Sequence, residues 1–181
     1  MMHRSNCVCF SSFIVVKMSR MKLIRLLLGL LIILGTVYWC TRPCLNISGG
    51  AHCQVMTMEA VSVEKLEICF IHSVQKTEVK EYFTLAEDGA GFVLNSTHYH
   101  SFGVGLPFLE DDGSFRQEGN VFIMDDMNRY YGSLSLRTGV GTQLTVKVND
   151  KVYPLYEIFD SGEKIDIKIV PRYRTWLTDL L

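Results

Sequence analysis

An alternation of apolar and polar residues with a period of two runs through most of the chain from residue 54 to residue 170. It is strict in Ile165–Ile169, and Leu144, Val146 and Val148 repeat it. Successive side chains of a β-strand point to opposite faces, so this pattern predicts strands that place one face on a core and the other in water. The chain is therefore predicted to be all-β.

Nine segments show the strand pattern, and Gly, Asn and Asp punctuate them at intervals of about 8–12 residues. The alternation of many short strands and turns is typical of a single small β-sandwich or barrel-like domain. One short helix is predicted over Leu155–Asp160. The predicted strands are Gln54–Glu59, Lys65–His72, Glu78–Ala86, Gly91–Ser101, Asn120–Asp125, Gly132–Arg137, Gln143–Val148, Lys151–Leu155 and Lys164–Val170.

A basic and then apolar segment precedes this body. Leu23–Trp39 is 17 residues long with Arg25 as its only charge, and no Asp or Glu occurs before Glu59. The length is near the minimum for a membrane span, and a cleaved signal peptide has a similar basic flank. An uncleaved anchor is favoured, because Tyr38 and Trp39 are typical of the membrane interface and no small residues mark a cleavage site.

Charge then predicts topology and domain limits. The first 42 residues carry six Lys and Arg, whereas the rest has a net charge of −7. Basic flanks stay in the cytoplasm, so we expect a single-pass protein of the cell membrane with its body outside. An acidic body argues against nucleic acid as a partner.

The chain is predicted to have five divisions. They are a basic cytoplasmic segment (1–22, with alternative starts at Met18 and Met21), a membrane anchor or signal segment (23–40), a linker (41–52), an extracytoplasmic β domain (53–172) and a tail (173–181).

Cysteine and histidine spacing does not predict a metal centre. The six cysteines lack paired zinc-ligand spacing, and His98 and His100 share a strand face without a nearby acidic or thiol partner. Cys44 and Cys53 would lie outside the membrane, where a disulfide is chemically permitted, so a Cys44–Cys53 bridge is one hypothesis. Cys69 lies in an apolar strand and is predicted to be buried.

The candidate ligand-binding residues begin where the strand ending at His72 meets a turn. His72, Ser73, Lys76, Thr77 and Glu81 follow one another there. Adjacent strand residues point to opposite faces, so His72 is poorly placed to activate Ser73, and no catalytic residue is assigned. The two alternatives are a hydrogen-bonded structural corner, with Lys76 and Glu81 as an ion pair, and a site at which these groups contact a small organic anion.

A glycine-punctuated string, Ser101-Phe102-Gly103-Val104-Gly105-Leu106-Pro107, provides the other candidate ligand contacts: Ser101, Gly103 and Gly105. It lacks the Lys-Ser/Thr of a phosphate loop and does not open a helix, so nucleotide binding is not predicted. Its glycines allow positive φ in a sharp bend, which we expect to pack beside the His72 corner and to form the rim of any ligand site there.

Together these strings resemble the DUF1850 family, in His72-Ser73-Val74, Lys76-Thr77, Glu81-Tyr82 and Ser101 to Pro107. The likeness extends over about residues 53–171. It departs at Gln75, where the family often has an acidic residue, and at Glu78, where it tends to have Pro. The resemblance implies a small protein of the bacterial envelope, often found alongside TRAP transporters of the TAXI type, with no established activity.

Three functions follow as expectations. The first is an accessory or interaction module of a TAXI-type TRAP transporter, held at the membrane by its N-terminal helix. The second is a small-carboxylate-binding protein that uses His72, Lys76 and Thr77. The third is a hydrolase acting through His72 and Ser73. No cofactor and no metal is expected for any of them.

Overall fold

The computed structural model describes residues 19–50, 53–101 and 113–177. The chain divides into two compact units, one up to Tyr38 and one from Trp39 onward. Most of the basic segment predicted at 1–22 lies outside the described residues, as do Gly103 and Gly105 of the glycine-punctuated string.

The predicted apolar segment is a helix, α1, which spans Arg20–Thr41. None of its residues is buried, and an 18-residue window has a mean hydropathy of 2.1. Its 22 residues rise about 33 Å at 1.5 Å each, enough to cross a hydrocarbon core of about 30 Å. The helix is therefore long and apolar enough for a membrane anchor, although a signal sequence meets the same criteria.

The second unit is built almost entirely of strands. A 3-10 turn at Ala60–Ser62 and the short helices α2 (Leu155–Ile158) and α3 (Arg172–Leu177) complete it. The strands are β1 (Pro43–Gly49), β2 (Cys53–Glu59), β3 (Leu66–Ile71), β4 (Glu78–Leu85), β5 (Phe92–Tyr99), β6 (Ser114–Glu118), β7 (Val121–Asp125), β8 (Arg129–Tyr131), β9 (Ser133–Arg137), β10 (Thr145–Val148), β11 (Lys151–Pro154) and β12 (Lys164–Pro171).

The strands form two antiparallel sheets. The smaller sheet has the order β2-β1-β12-β9, and the larger has the order β11-β10-β3-β4-β5-β7-β6, with β8 also paired to β5. One apolar core joins them: Ile47 and Ile167 of the smaller sheet and Ile68, Phe92 and Val146 of the larger one are buried in it. Burial of each such side chain contributes about 1.5–3 kcal/mol. The predicted all-β domain behind one N-terminal helix is confirmed.

The predicted linker at 41–52 is wrong, because it contains β1. This strand lies between β2 and β12, and Cys44, Leu45 and Ile47 are fully inaccessible to solvent. A strand with neighbours on both sides and buried residues on both faces shows no alternation, and the Pro, Asn, Ser and Gly of β1 resemble turn residues instead. The predicted tail likewise contains most of α3.

Two other strands were not predicted. Every residue of β6 is exposed, so no apolar face marks it, and β8 has only three residues. The nine predicted strands are all present with bounds shifted by one or two residues, and α2 occupies the first part of the predicted helix.

Candidate functional site

The turn from β3 to β4 is closed by its own hydrogen bonds. The His72 N–H donates to the Thr77 carbonyl at 2.9 Å, and the Lys76 N–H donates to the His72 carbonyl at 2.9 Å. Nδ1 of the buried His72 ring accepts from the N–H groups of Val74 and Gln75 at 3.3 and 3.2 Å. His72 therefore caps the turn, as the structural-corner interpretation expects.

This geometry limits what His72 does chemically. The Nδ1 lone pair is occupied by two backbone donors, so this atom is not available to take a proton from a neighbouring hydroxyl. Ser73 lies in the exposed turn beyond it. Lys76 has a positive φ of 56°. Its ammonium lies over the loop between β9 and β10, with Nζ 3.8 Å from the position that a Cβ atom would take on Gly141.

Thr77 and Ser101 carry buried hydroxyls that have no hydrogen-bond partner among the described residues. Thr77 directly precedes β4 and Ser101 lies two residues after the end of β5, at the same end of this strand pair, where Val79 is opposite Tyr99. An unsatisfied buried hydroxyl costs about 1–3 kcal/mol, so both hydroxyls call for an explanation. Both are predicted ligand-binding residues, and both lie at this end of the β4–β5 pair.

Glu81 lies apart from this corner. It is four residues beyond Thr77 on β4, about 13 Å at 3.3 Å per residue. Its side chain is on the core-facing side of the sheet, in register with Ile68 on one neighbouring strand and Thr97 on the other. Among the described residues, its carboxylate makes no hydrogen bond and no ion pair, so the predicted pairing of Lys76 with Glu81 is wrong.

An open cavity of about 250 Å³ lies between the two sheets, and Glu81 is one of the residues that line it. Burial raises the pKa of Glu81, because the apolar walls disfavour its charged form. Glu81 was predicted to belong with the corner residues only because it is close to them along the chain. The cavity is lined by Ile68, Glu81, Phe83, Leu94, Tyr131, Ser133, Leu134, Ser135 and Leu136.

The predicted Cys44–Cys53 disulfide is wrong. Cys44 is a free, buried thiol. In the β1–β2 pair, Cys44 is opposite Glu59 whereas Cys53 is opposite Gly49, five residues further along β1. That offset is about 17 Å at 3.3 Å per residue, and a disulfide needs Cα atoms within about 7 Å.

A polar cluster on the outer face of the larger sheet was not predicted. The Cys69 thiol donates to Oε1 of Glu67 at 2.9 Å, and Nζ of Lys147 donates to the same oxygen at 2.9 Å. Burial, together with the hydrogen bond to Glu67, raises the pKa of Cys69 to about 12. Cys69 is buried as predicted, and it is a thiol rather than a nucleophilic thiolate at neutral pH.

The two histidines considered as metal ligands have other contacts. The His98 ring packs on Tyr82 with centroids 4.7 Å apart, and Nδ1 of His100 lies 3.1 Å from the Glu78 carbonyl oxygen. Within the ranges that the structure describes, no three His, Cys, Asp or Glu side chains converge as metal ligands.

The structure thus defines an antiparallel two-sheet β domain that follows one apolar N-terminal helix. The family model described as Domain of unknown function (DUF1850) matches residues 66–155, from β3 to the start of α2. This match supports the assignment of that region to the DUF1850 family, over a shorter range than 53–171. No curated protein and no solved structure matches the chain.

Proposed function

We propose that this protein is a membrane-anchored, extracytoplasmic accessory module of a TAXI-type TRAP transporter. One observation carries the proposal: Arg42 alone separates the end of α1 at Thr41 from the start of β1 at Pro43. Because β1 is an inner strand of the smaller sheet, the domain has no flexible leader between the apolar helix and its core.

The absence of a flexible linker between the helix and the β domain restricts the location of the domain. A single intervening residue spans at most about 3.6 Å, so a domain attached in this way stays at the membrane surface once α1 is inserted. It is unable to carry a solute through the aqueous compartment, as a free binding protein does. A module that contacts a neighbouring membrane protein suits this attachment, and a TAXI-type TRAP transporter is the neighbour that the resemblance described in the sequence analysis implies.

The extracytoplasmic location of the β domain is tested with a single introduced cysteine. Val140 is exposed in the loop between β9 and β10, so Val140→Cys should react with a membrane-impermeant maleimide in intact cells. The native cysteines are exchanged for serine or alanine in this chain and in a control that keeps Val140. Labelling of Val140→Cys only after lysis would contradict an extracytoplasmic domain.

Partnership is tested by purifying the tagged full chain from native membranes in a mild detergent. The matched control keeps the β domain and exchanges residues 20–41 for an unrelated membrane helix of equal length. We expect the membrane subunits of a TRAP transporter to co-purify with both chains. The proposal fails if neither chain retains them and no transporter genes adjoin this one.

Small-carboxylate binding is a second candidate, favoured by the buried hydroxyls of Thr77 and Ser101, which have no hydrogen-bond partner in the part of the chain that the structure describes. Hydroxyl donors suit a carboxylate, and the Lys76 ammonium lies in the same turn. A series of short carboxylic acids should raise the melting temperature of the full chain, and Thr77→Val should abolish the response while Ser73→Ala keeps it. An absent response, or one that Thr77→Val leaves unchanged, would remove this candidate.

The hydrolase alternative has no comparable support among the described residues, because backbone N–H groups occupy Nδ1 of His72. Full retention of any hydrolytic activity in His72→Ala and Ser73→Ala chains would eliminate this pair as its source.

A further inference from the structure

Three large aromatic side chains of the second unit remain exposed where the chain enters and leaves the β domain. Trp39 is in the last turn of α1, and Tyr173 and Trp176 are in α3. Their exposed fractions are 45%, 39% and 49%, and the rings of Trp39 and Trp176 contact each other with centroids 5.5 Å apart. We call these three residues the aromatic patch.

Polar contacts hold the aromatic patch in place. The Arg172 N–H donates to the Arg42 carbonyl at 3.0 Å, which fixes the first residue of α3 beside the start of β1. The Arg172 guanidinium lies 4.4 Å from the centre of the Trp39 ring, a cation–π distance. The Glu59 carboxylate binds both Arg42, at 3.2 Å, and Arg172. All of these residues belong to the second unit, so the patch is organised within it.

The chemistry of the patch fits a lipid surface. Trp and Tyr concentrate at the headgroup level of membranes, because their rings are apolar and their N–H or O–H groups are polar. Arg174 is exposed in α3, two residues before Trp176, and guanidinium groups bind phosphate well. Trp39 ends the apolar run of α1, and the Trp176 ring contacts the Trp39 ring.

From this arrangement we propose that Trp39, Tyr173 and Trp176 enter the lipid headgroup region together and hold the β domain against the membrane surface. The inference rests on the membrane anchoring in the proposed function and extends it, since α3 becomes a second membrane contact. The domain is then attached at both ends of its chain, which limits its rotation about the helix and presents one side of it to a neighbouring membrane protein.

The chain has two tryptophans, Trp39 and Trp176, which makes a direct test possible. Trp39→Phe leaves Trp176 as the sole tryptophan, and Trp176→Phe leaves Trp39. Each full chain is reconstituted into vesicles of phosphatidylcholine and phosphatidylglycerol whose acyl chains carry bromine close to the headgroups or deep in the bilayer. Far-ultraviolet circular dichroism, which reports the backbone, checks that both variants keep the wild-type secondary structure.

We expect Trp176 in the Trp39→Phe chain to be quenched by the shallow bromines more than by the deep ones. We also expect partial protection from acrylamide in the water phase. Trp39 in the Trp176→Phe chain should behave in the same way. A third chain, Trp39→Phe with Tyr173→Glu, should lose much of the Trp176 quenching, because a carboxylate is disfavoured at the headgroup level.

Two outcomes overturn this inference alone. In the first, bromines quench Trp39 whereas Trp176 responds only to acrylamide, so the helix is inserted and the patch is in water. In the second, Trp176 is protected from acrylamide without quenching by bromine, so a protein surface covers it, either a second copy or a transporter subunit. If neither tryptophan is quenched by bromine, the proposed membrane anchor fails as well.

Discussion

Replacement of Asp166 by Asn should reduce the stability of the β domain in a pH-dependent way. Asp166 lies in the middle of β12, between β1 and β9. Its carboxylate accepts a hydrogen bond from the Ser135 hydroxyl at 2.5 Å and from Lys168 Nζ at 2.9 Å, and Lys164 Nζ lies 3.1 Å away. Partial burial raises the pKa of Asp166, but these contacts outweigh it and lower the pKa from 3.8 to about 2.

The size of the effect follows from linkage. A carboxyl whose pKa is lower in the folded chain stabilises the fold above its unfolded value, and this stabilisation is lost as the pH falls through the folded value. The difference between 3.8 and about 2 corresponds to about 2 kcal/mol at most. Lys164 and Lys168 are 54% and 44% exposed, so water and salt screen them, and we expect about 1 kcal/mol.

The assay is urea unfolding of the full chain in a non-ionic detergent, followed by near-ultraviolet circular dichroism between pH 7 and pH 2. Asp166→Asn should unfold about 1 kcal/mol more easily than wild type near neutral pH, and the gap should close below pH 4. Asp150→Asn, in an exposed turn, is the matched control and should show no gap. A gap that stays constant down to pH 2, or none at pH 7, would refute the reasoning.

Three further predictions follow from the site. Burial raises the folded pKa of Glu81, so its protonated form stabilises the fold and stability is lost as the pH rises through that value. Glu81→Gln should therefore be more stable than wild type at pH 7 and equal to it in acid; a less stable variant at pH 7 would contradict this. His72→Ala should cost about 1–3 kcal/mol, because two backbone N–H groups lose their acceptor, whereas the exposed Ser73→Ala should change stability by less than about 0.5 kcal/mol. Equal stabilities of these two variants in urea would argue against the cap. The pKa of about 12 at Cys69 predicts alkylation by iodoacetamide about a thousandfold slower than for an ordinary thiol, measured by peptide mapping of the native chain. Rapid labelling of Cys69 before unfolding would contradict its burial and its hydrogen bond to Glu67.

Local pattern was enough to predict most of the fold. Nine strands were predicted because most of them bury one face, which produces an alternation of apolar and polar residues along the chain. β1 and β6 were missed for opposite reasons: β1 is buried on both faces, and β6 is exposed throughout. Neither burial state leaves a period of two, so only the pairing of these strands in the sheets identifies them.

The candidate site was predicted in part. A hydrogen-bonded corner at His72 was one of the two alternatives that its place at a strand end suggested, and the structure shows two backbone N–H groups that donate to the His72 ring. The string that begins at Ser101 was expected beside the His72 corner, and the register of β4 against β5, which local pattern does not reveal, pairs Val79 with Tyr99 two residues from Thr77 and from Ser101. Glu81 was grouped with the turn residues by proximity in sequence, yet the strand carries it about 13 Å away into a cavity.

The sequence by itself determined what short-range periodicity and composition express: an all-β body, an apolar N-terminal helix and the strand-end turn at His72. Tertiary structure alone decided which distant residues meet. It separated Cys44 from Cys53, joined Trp39 to Trp176 and left the Glu81 carboxyl without a partner among the described residues. The physical reason is that strand register and sheet packing depend on contacts far apart in the chain, which a local pattern does not encode.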